Sequence, residues 1–251
     1  MDTPRPLYTV PIIAHRLFGQ QRYQGFSIEP GFPDDDNPFP RHDRGPGFVV
    51  RGTLEADGPP GIDRGVGTWR SWQEIDAMFV ADPTVDASDG TTVNDLWASS
   101  GIRFELVERI DAQTSSGLAR MLPADSRLRD AIIYPLRRPG AINLFLVREI
   151  DGSWGYARRS FPVRPDIIPL AVVSDMRTRS TDPTNRWRLS LITLAHELGH
   201  VLGLGHVAFN DNVMLGSGTR LSSVDFHLPQ IAVCRSRAAF LSGAVAPPAR
   251  P

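Results

Sequence analysis

The stretch HELGHVLGLGH at residues 196–206 contains three of the six histidines of this 251-residue chain. On an α-helix, residues four apart project from one face, with Cβ atoms about 5 to 6 Å apart. His196 and His200 have this spacing, so both imidazoles can reach one zinc ion at about 2.0 to 2.1 Å. Glu197 follows the first histidine and would lie beside the metal. The pattern therefore predicts a metal site with a general base next to it.

A third ligand is predicted a short distance beyond the helix. Gly203 can adopt the left-handed conformation that ends a helix, and the chain can then turn beneath the metal and bring in His206. Three neutral imidazoles and one open position are typical of a catalytic zinc site, because structural sites are usually closed by four protein ligands. H-E-x-x-H alone is a weak signal, but the longer pattern is demanding. We predict one catalytic Zn²⁺ held by His196, His200 and His206.

This motif, followed by NDNVM at residues 210–214, resembles the metzincin clan of zinc metallopeptidases. The resemblance implies that Met214 lies in a tight turn beneath the histidines. Its position eight residues after His206 is similar to the matrixins, the matrix metalloproteinase group and its microbial relatives. The segment RLSSVDFHLPQ resembles the matrixin entry into the C-terminal helix, which implies that Asp225 supports the methionine turn. Ser222 and Asp225 also have capping-box spacing, so a simple helix start is an alternative that is compatible with this role.

The resemblance implies a zinc-dependent endopeptidase that hydrolyses peptide bonds through a zinc-bound water activated by Glu197. The residues after the methionine are expected to line the substrate pocket: Leu215, Gly216, Ser217, Gly218, Thr219 and Arg220. The alternative is a catalytically silent or latent metzincin-like zinc protein that acts as a binding module, and the presence of Glu197 argues against it. Val207 departs from the Ser, Asp or Glu that follows the third histidine in better-known metzincins, which leaves the subfamily open.

The remaining pattern predicts an α+β fold, and the resemblance implies a metzincin-like zincin catalytic domain. We expect a twisted mixed sheet of about five strands, mostly parallel, with a backing helix and an active-site helix. The active-site helix should begin with Asp182 as N-cap and Pro183 in the first turn. An antiparallel edge strand that pairs with substrate is expected within residues 155–161.

The chain is expected to form a single metallopeptidase domain over residues 1–251. Residues 1–203 would form the N-terminal subdomain, including a Pro-, Gly- and Asp-rich insertion at about residues 19–67 with one short strand at FVVRGTLE. Residues 204–251 would form a small C-terminal subdomain that ends in a helix restarting at Pro229.

Composition limits the partners. A hydrophobic fraction of 41% with 22% charged residues is that of an ordinary soluble globular protein. A formal net charge of -1 gives no field to gather nucleic acid or an anionic membrane, and no segment approaches the roughly 18 apolar residues of a membrane span. No nucleic-acid or membrane partner is therefore expected. We also expect a monomer, and the metzincin resemblance implies a protein or peptide substrate.

Three further features concern the cysteine, a possible calcium site and the location of the protein. Cys234 is the only cysteine, so no intrachain disulfide is expected, and a buried thiol is favoured over a nucleophile. The stretch PDDDNP at residues 33–38 offers carboxylates for Ca²⁺ but lacks the spacing and glycine of a calcium loop, so a solvated turn is favoured. The metzincin resemblance implies an extracellular, secreted protein; the N-terminus shows no secretion signal, which leaves a cytoplasmic location open.

Overall fold

The computed structural model describes residues 7–19, 23–31, 47–54, 70–85, 89–114, 133–150, 153–158, 168–174, 183–208, 212–216 and 226–243. The strands are β1 Tyr8–Gly19, β2 Tyr23–Gly31, β3 Gly47–Leu54, β4 Ile102–Thr114, β5 Ile142–Val147, β6 Gly155–Arg158 and β7 Leu170–Ser174. The α-helices are α1 Trp72–Ala77, α2 Val93–Trp97, α3 Pro183–Val201 and α4 Leu228–Leu241.

A five-stranded sheet in the order β4-β1-β5-β7-β6 organises the fold. The first four strands pair in parallel, whereas β6 runs antiparallel to β7 at the edge of the sheet. Every residue of β5 and β7 is buried, as expected of parallel strands covered on both faces. The prediction of an α+β fold with a mixed sheet of about five strands is confirmed, and so is an antiparallel edge strand within residues 155–161.

The two faces of the sheet support separate hydrophobic clusters. The first contains Ile12, Leu144 and Val173 from the sheet and Leu194 and Leu198 from α3. The second, on the opposite face, includes the buried side chains of Leu17, Phe145 and Val172. Because side chains alternate between the faces of a strand, each inner strand contributes to both clusters. The helix that carries the histidines is therefore packed against one face of the sheet.

The prediction for residues 19–67 was wrong in one respect. FVVRGTLE contains the strand β3, as predicted. Its partner β2, however, lies in a stretch predicted to be loop, and the two strands pair antiparallel in a separate two-stranded sheet. The segment of β2 contains Gly25 and Pro30, residue types that are depleted in strands, and its pairing shifts register between Gln24 and Ser27. Cross-strand pairing decides strand formation there more than local composition does.

The two short helices begin where their capping residues predict. Ser71 caps α1 and Thr92 caps α2, each in a capping box with the carboxylate three residues later. After α2, a 3-10 turn over Ala98–Ser100 ends at Gly101, whose φ of 71° is left-handed, and β4 follows at once.

The long helix α3 begins at Pro183 as predicted, whereas Asp182 lies outside the described residues. It ends in a turn where Gly203 has a φ of 96°, the left-handed conformation expected of this glycine. Helix α4 begins at Leu228 with Pro229 in its first turn, within one residue of the predicted restart. Among the described residues, no helix has the length and apolar character needed to cross a membrane.

Candidate metal centre

The three histidines of the motif converge. Helix α3 presents His196 and His200 from one face, and the turn at Gly203 returns the chain so that His206 lies opposite them. The Nε2 atom of His206 lies 3.2 Å from Nε2 of His196 and 3.0 Å from Nε2 of His200. One ligand atom from each residue lies within 4.8 Å of the other two, an arrangement that can hold a metal ion.

Backbone carbonyls determine which nitrogen of two of these rings carries the proton. Nδ1 of His196 donates to the Val213 carbonyl at 2.7 Å, and Nδ1 of His200 donates to the Leu204 carbonyl at 2.9 Å. In the neutral rings, each Nε2 therefore presents a lone pair toward His206. His206 can donate a proton to one of these nitrogens at most. A shared cation satisfies all three lone pairs at once.

The spacing of the nitrogens fits zinc. Two nitrogens on a tetrahedral zinc at about 2.0 to 2.1 Å are separated by about 3.3 Å, close to the 3.2 and 3.0 Å found here. Burial lowers the pKa of His196 below its ordinary value, and the neighbouring His206 lowers this pKa further, against the hydrogen bond to Val213 that raises it. A neutral imidazole is the form that binds metal.

Glu197 lies on the flank of α3 between the histidine face and the sheet. Only 5% of its surface is exposed, and its Oε2 atom is buried with no hydrogen-bond partner among the described residues. Burial raises the pKa of Glu197 to about 8. A buried carboxyl group with a shifted pKa next to three converging imidazoles is typical of a functional site.

Gly155, the first residue of β6, packs directly on this carboxyl group. A Cβ atom placed at Gly155 would lie 2.7 Å from both Cγ and Oε1 of Glu197 and 3.0 Å from its Cδ. Only glycine therefore allows the edge strand to approach Glu197 so closely. The sequence alone does not indicate this contact. The one signal for it is a glycine inside a predicted strand, which often marks a close approach of backbone.

Met214 lies beneath the histidine helix. It is fully buried, and its N–H donates to Oδ1 of Asn212 at 2.9 Å while its carbonyl accepts from the N–H of Val207 at 2.9 Å. A Cβ atom at Gly199 would collide with the Met214 sulfur, so the absence of a side chain at Gly199 lets the methionine contact the helix. The structure thus packs Met214 against the helix that carries the histidines, and the role that the metzincin resemblance implies for it stays a prediction.

The proposed pocket residues are described only in part. Leu215 is half-buried and Gly216 is exposed, and a Cβ atom at Gly216 would lie 3.2 Å from the His206 ring. Ser217, Gly218, Thr219 and Arg220 lie outside the described residues, as do Ser222 and Asp225 of the predicted cap. The segment PDDDNP, considered for Ca²⁺, also lies outside them.

Two other side chains, which the sequence alone did not indicate, hold the turn at residues 212–215. This turn contains Met214 and is called the methionine turn below. Asn212 is buried and bonds to Gln230 of α4 through both ends of its amide: Asn212 Nδ2 donates to Gln230 Oε1 at 2.7 Å, and Gln230 Nε2 donates to Asn212 Oδ1 at 3.2 Å. The only sequence signal was an asparagine two residues before Met214, a position that favours a side-chain to backbone turn bond.

The other histidines that the structure describes, and the cysteine, are not part of this cluster. His15 is buried in β1, where its Nε2 donates to Asn143 Oδ1 at 3.0 Å and its ring stacks on Phe145. His227 is the N-cap of α4, and His42 lies outside the described residues. Cys234 is buried, as predicted, and burial raises its thiol pKa to about 12, which makes it a poor nucleophile.

Comparisons with known proteins find distant likeness in structure alone. No protein-family model and no curated protein matches the chain. The chain is similar to the archaemetzincin of Methanopyrus kandleri, with 19% identity over 58% of this chain and 83% of that one and a TM-score of 0.41. It is also similar to metalloproteinase-II of Bacteroides fragilis, with 12% identity over 94% of this chain and 54% of that one and a TM-score of 0.41. The chain thus spans about half of the latter protein.

A third similar structure is the zinc-dependent peptidase of Methanocorpusculum labreanum, with 17% identity over 62% of this chain and 95% of that one and a TM-score of 0.28. Likeness at these identities and TM-scores does not place the chain in a family. The resemblance to matrixins that is based on the spacing of Met214 stays a prediction.

Proposed function

We propose that this protein is a zinc-dependent endopeptidase. The observation that carries the proposal is the convergence of three imidazole nitrogens: Nε2 of His206 lies 3.2 Å from Nε2 of His196 and 3.0 Å from Nε2 of His200. Beside them lies the buried carboxyl group of Glu197, whose Oε2 has no hydrogen-bond partner among the described residues. Three neutral histidines with a carboxylate beside them, not among them, are typical of a catalytic zinc site.

Each of these residues has a defined part in the proposed chemistry. His196, His200 and His206 hold the metal. When bound, zinc supplies a Lewis acid for the scissile carbonyl and lowers the pKa of a water molecule to about 7. Glu197 accepts a proton from the attacking water and delivers it to the leaving amine. Met214 packs beneath the imidazoles, and we assign the support of its turn in part to Asp225.

The substrate is proposed to bind along β6. Among the described strands, β6 is the last of the five-stranded sheet and neighbours β7, and an extended peptide can add to an edge strand through main-chain hydrogen bonds. The contact between Gly155 and Glu197 brings the start of this edge next to the general base. Residues 215–220 are proposed to line the pocket for the side chain after the cut, and secretion is proposed on the metzincin resemblance.

The test compares wild-type protein with Glu197→Ala, both loaded with zinc, on a proteome-derived peptide library read by mass spectrometry. We expect cleavage by the wild type only, with equal zinc content in both proteins measured by elemental analysis. Equal cleavage by both would mean a contaminating protease or a different base. No cleavage by a zinc-loaded wild type would contradict the endopeptidase proposal and favour the silent or latent binding module.

A further inference from the structure

The methionine turn is fastened to helix α4 by a closed ring of side-chain bonds. Asn212 and Gln230 exchange two hydrogen bonds, of 2.7 and 3.2 Å. Both oxygens also accept from backbone: Asn212 Oδ1 from the N–H of Met214 at 2.9 Å, and Gln230 Oε1 from the N–H of His227 at 2.9 Å. The pair therefore joins the turn to the first residues of α4.

This ring leads directly to a zinc-binding histidine. The residue between Asn212 and Met214 is Val213, whose carbonyl accepts the 2.7 Å bond from Nδ1 of His196. Asn212 fixes the chain around this carbonyl twice, through its side chain to Met214 and through its own carbonyl, which accepts from the N–H of Leu215 at 3.1 Å. The orientation of the Val213 carbonyl is thus set by Asn212.

We propose that Asn212 and Gln230 are positioning residues for the metal centre, acting through the Val213 carbonyl to hold the ring of His196 in its metal-binding orientation. A histidine ligand whose second nitrogen is bonded to a fixed acceptor is locked in tautomer and ring angle, which strengthens metal binding. In this chain α4, although distant in sequence from the histidines, takes part in zinc affinity. The inference rests on the proposed zinc site but not on peptide cleavage.

The burial of the pair makes the coupling strong. Asn212 is 6% exposed, so an amide deprived of its partner there is costly and the turn is expected to rearrange. Loss of a group bonded directly to a metal-ligating histidine typically costs about 10- to 100-fold in metal affinity. Since Gln230 and Asn212 act one bond further away, we expect the lower end, about 10-fold.

The experiment measures the zinc dissociation constant by competition with a chromophoric chelator, with no substrate present. Gln230→Leu removes both polar atoms from a half-buried helix position and is expected to weaken zinc binding about 10-fold. Gln230→Glu keeps an oxygen for Asn212 Nδ2 and the His227 N–H but loses the donor to Asn212 Oδ1, so it is expected to bind zinc more tightly than Gln230→Leu and less tightly than the wild type. Asn212→Ala should weaken binding at least as much as Gln230→Leu, and the double variant Asn212→Ala/Gln230→Leu no more than Asn212→Ala.

Asn94→Ala is the matched control. The Asn94 side chain also makes three bonds to backbone, to the carbonyls of Phe79 and Phe104 and from the N–H of Phe104, but it touches none of the histidines. It should lower the melting temperature and leave zinc affinity within about twofold, well inside the effect expected at the pair.

Two results would overturn the proposal: wild-type zinc affinity in a folded Gln230→Leu protein, or an equal loss of affinity in Asn94→Ala. If Asn212→Ala does not fold, the two Gln230 variants decide. A wild type that cleaves no peptide while the affinity order holds would remove the endopeptidase proposal and support this one. A wild type that binds no zinc would overturn both.

Discussion

Gly155→Ala should separate turnover from zinc binding. The added Cβ atom would lie 2.7 Å from Cγ and Oε1 of Glu197, and ordinary contact begins at 3.4 Å, so the two must move apart by 3.4 − 2.7 = 0.7 Å. Cγ cannot yield as the end of a flexible chain would, and Glu197 is buried. Misplacement of a catalytic group by about 1 Å can cost about 100-fold in rate. We expect kcat to fall about 10- to 100-fold.

The assay is steady-state hydrolysis of a peptide found in the library, together with the zinc dissociation constant. Zinc affinity should stay at the wild-type value, because Glu197 is not one of the three proposed zinc ligands. Gly205→Ala is the control: this glycine lies inside the same motif, and a Cβ there meets nothing within 4 Å. Neither glycine has positive φ, so backbone strain does not separate the two variants. Wild-type kcat in Gly155→Ala, or an equal loss in Gly205→Ala, would refute the reasoning.

Three further predictions concern the metal and the stability of the fold. His206→Ala should weaken zinc binding by at least about 100-fold, more than loss of an outer partner, whereas His15→Gln, at a histidine outside the cluster, should not; equal affinities in the two variants would remove His206 from the site. Gly203→Ala should cost about 1 to 2 kcal/mol in equilibrium unfolding, because φ is 96° there; an unchanged midpoint would mean that this turn is not left-handed. Burial lowers the pKa of His15 below 6.5, so its contribution to stability is present above about pH 6.5 and is lost as pH falls. Urea midpoints of His15→Gln should therefore decline less than wild type from about pH 7 to about pH 5, and parallel curves would contradict this.

The part of the site that the sequence predicted is the part governed by local rules. His196 and His200 are one helical turn apart, and Gly203 can take the left-handed conformation that ends the helix. Spacing alone therefore brings the imidazoles together. Helix α3 was predicted for the same reason: its pattern is contained within a single segment.

The parts that were missed depend on which segments meet in space. Strand β2 forms because β3 pairs with it, and nothing in the composition of β2 indicates the partner. The contact of Gly155 with Glu197 depends on the antiparallel pairing of β6 with β7, and the amide pair depends on the angle at which α4 returns to the methionine turn. A single sequence contains these residues without showing that they touch.

Helix geometry explains why Glu197 is buried. The residues of α3 that pack on the sheet include Trp187, Leu191, Leu194, Leu198 and Val201, all buried and spaced three and four apart along one face. Residue 197 lies three after Leu194 and four before Val201, so its side chain projects at the margin of this packed face.

The ligand pair, one residue before Glu197 and three residues after it, projects on the other side of that margin. Glu197, the general base of our proposal, is therefore held between the histidine cluster and the sheet by the same periodicity that packs the helix. Its carboxyl group then meets whichever strand lies at that edge of the sheet. In this fold the strand is β6, and its first residue has no side chain. A larger residue at position 155 would have to displace either Glu197 or the edge strand, and in our proposal both are needed for turnover.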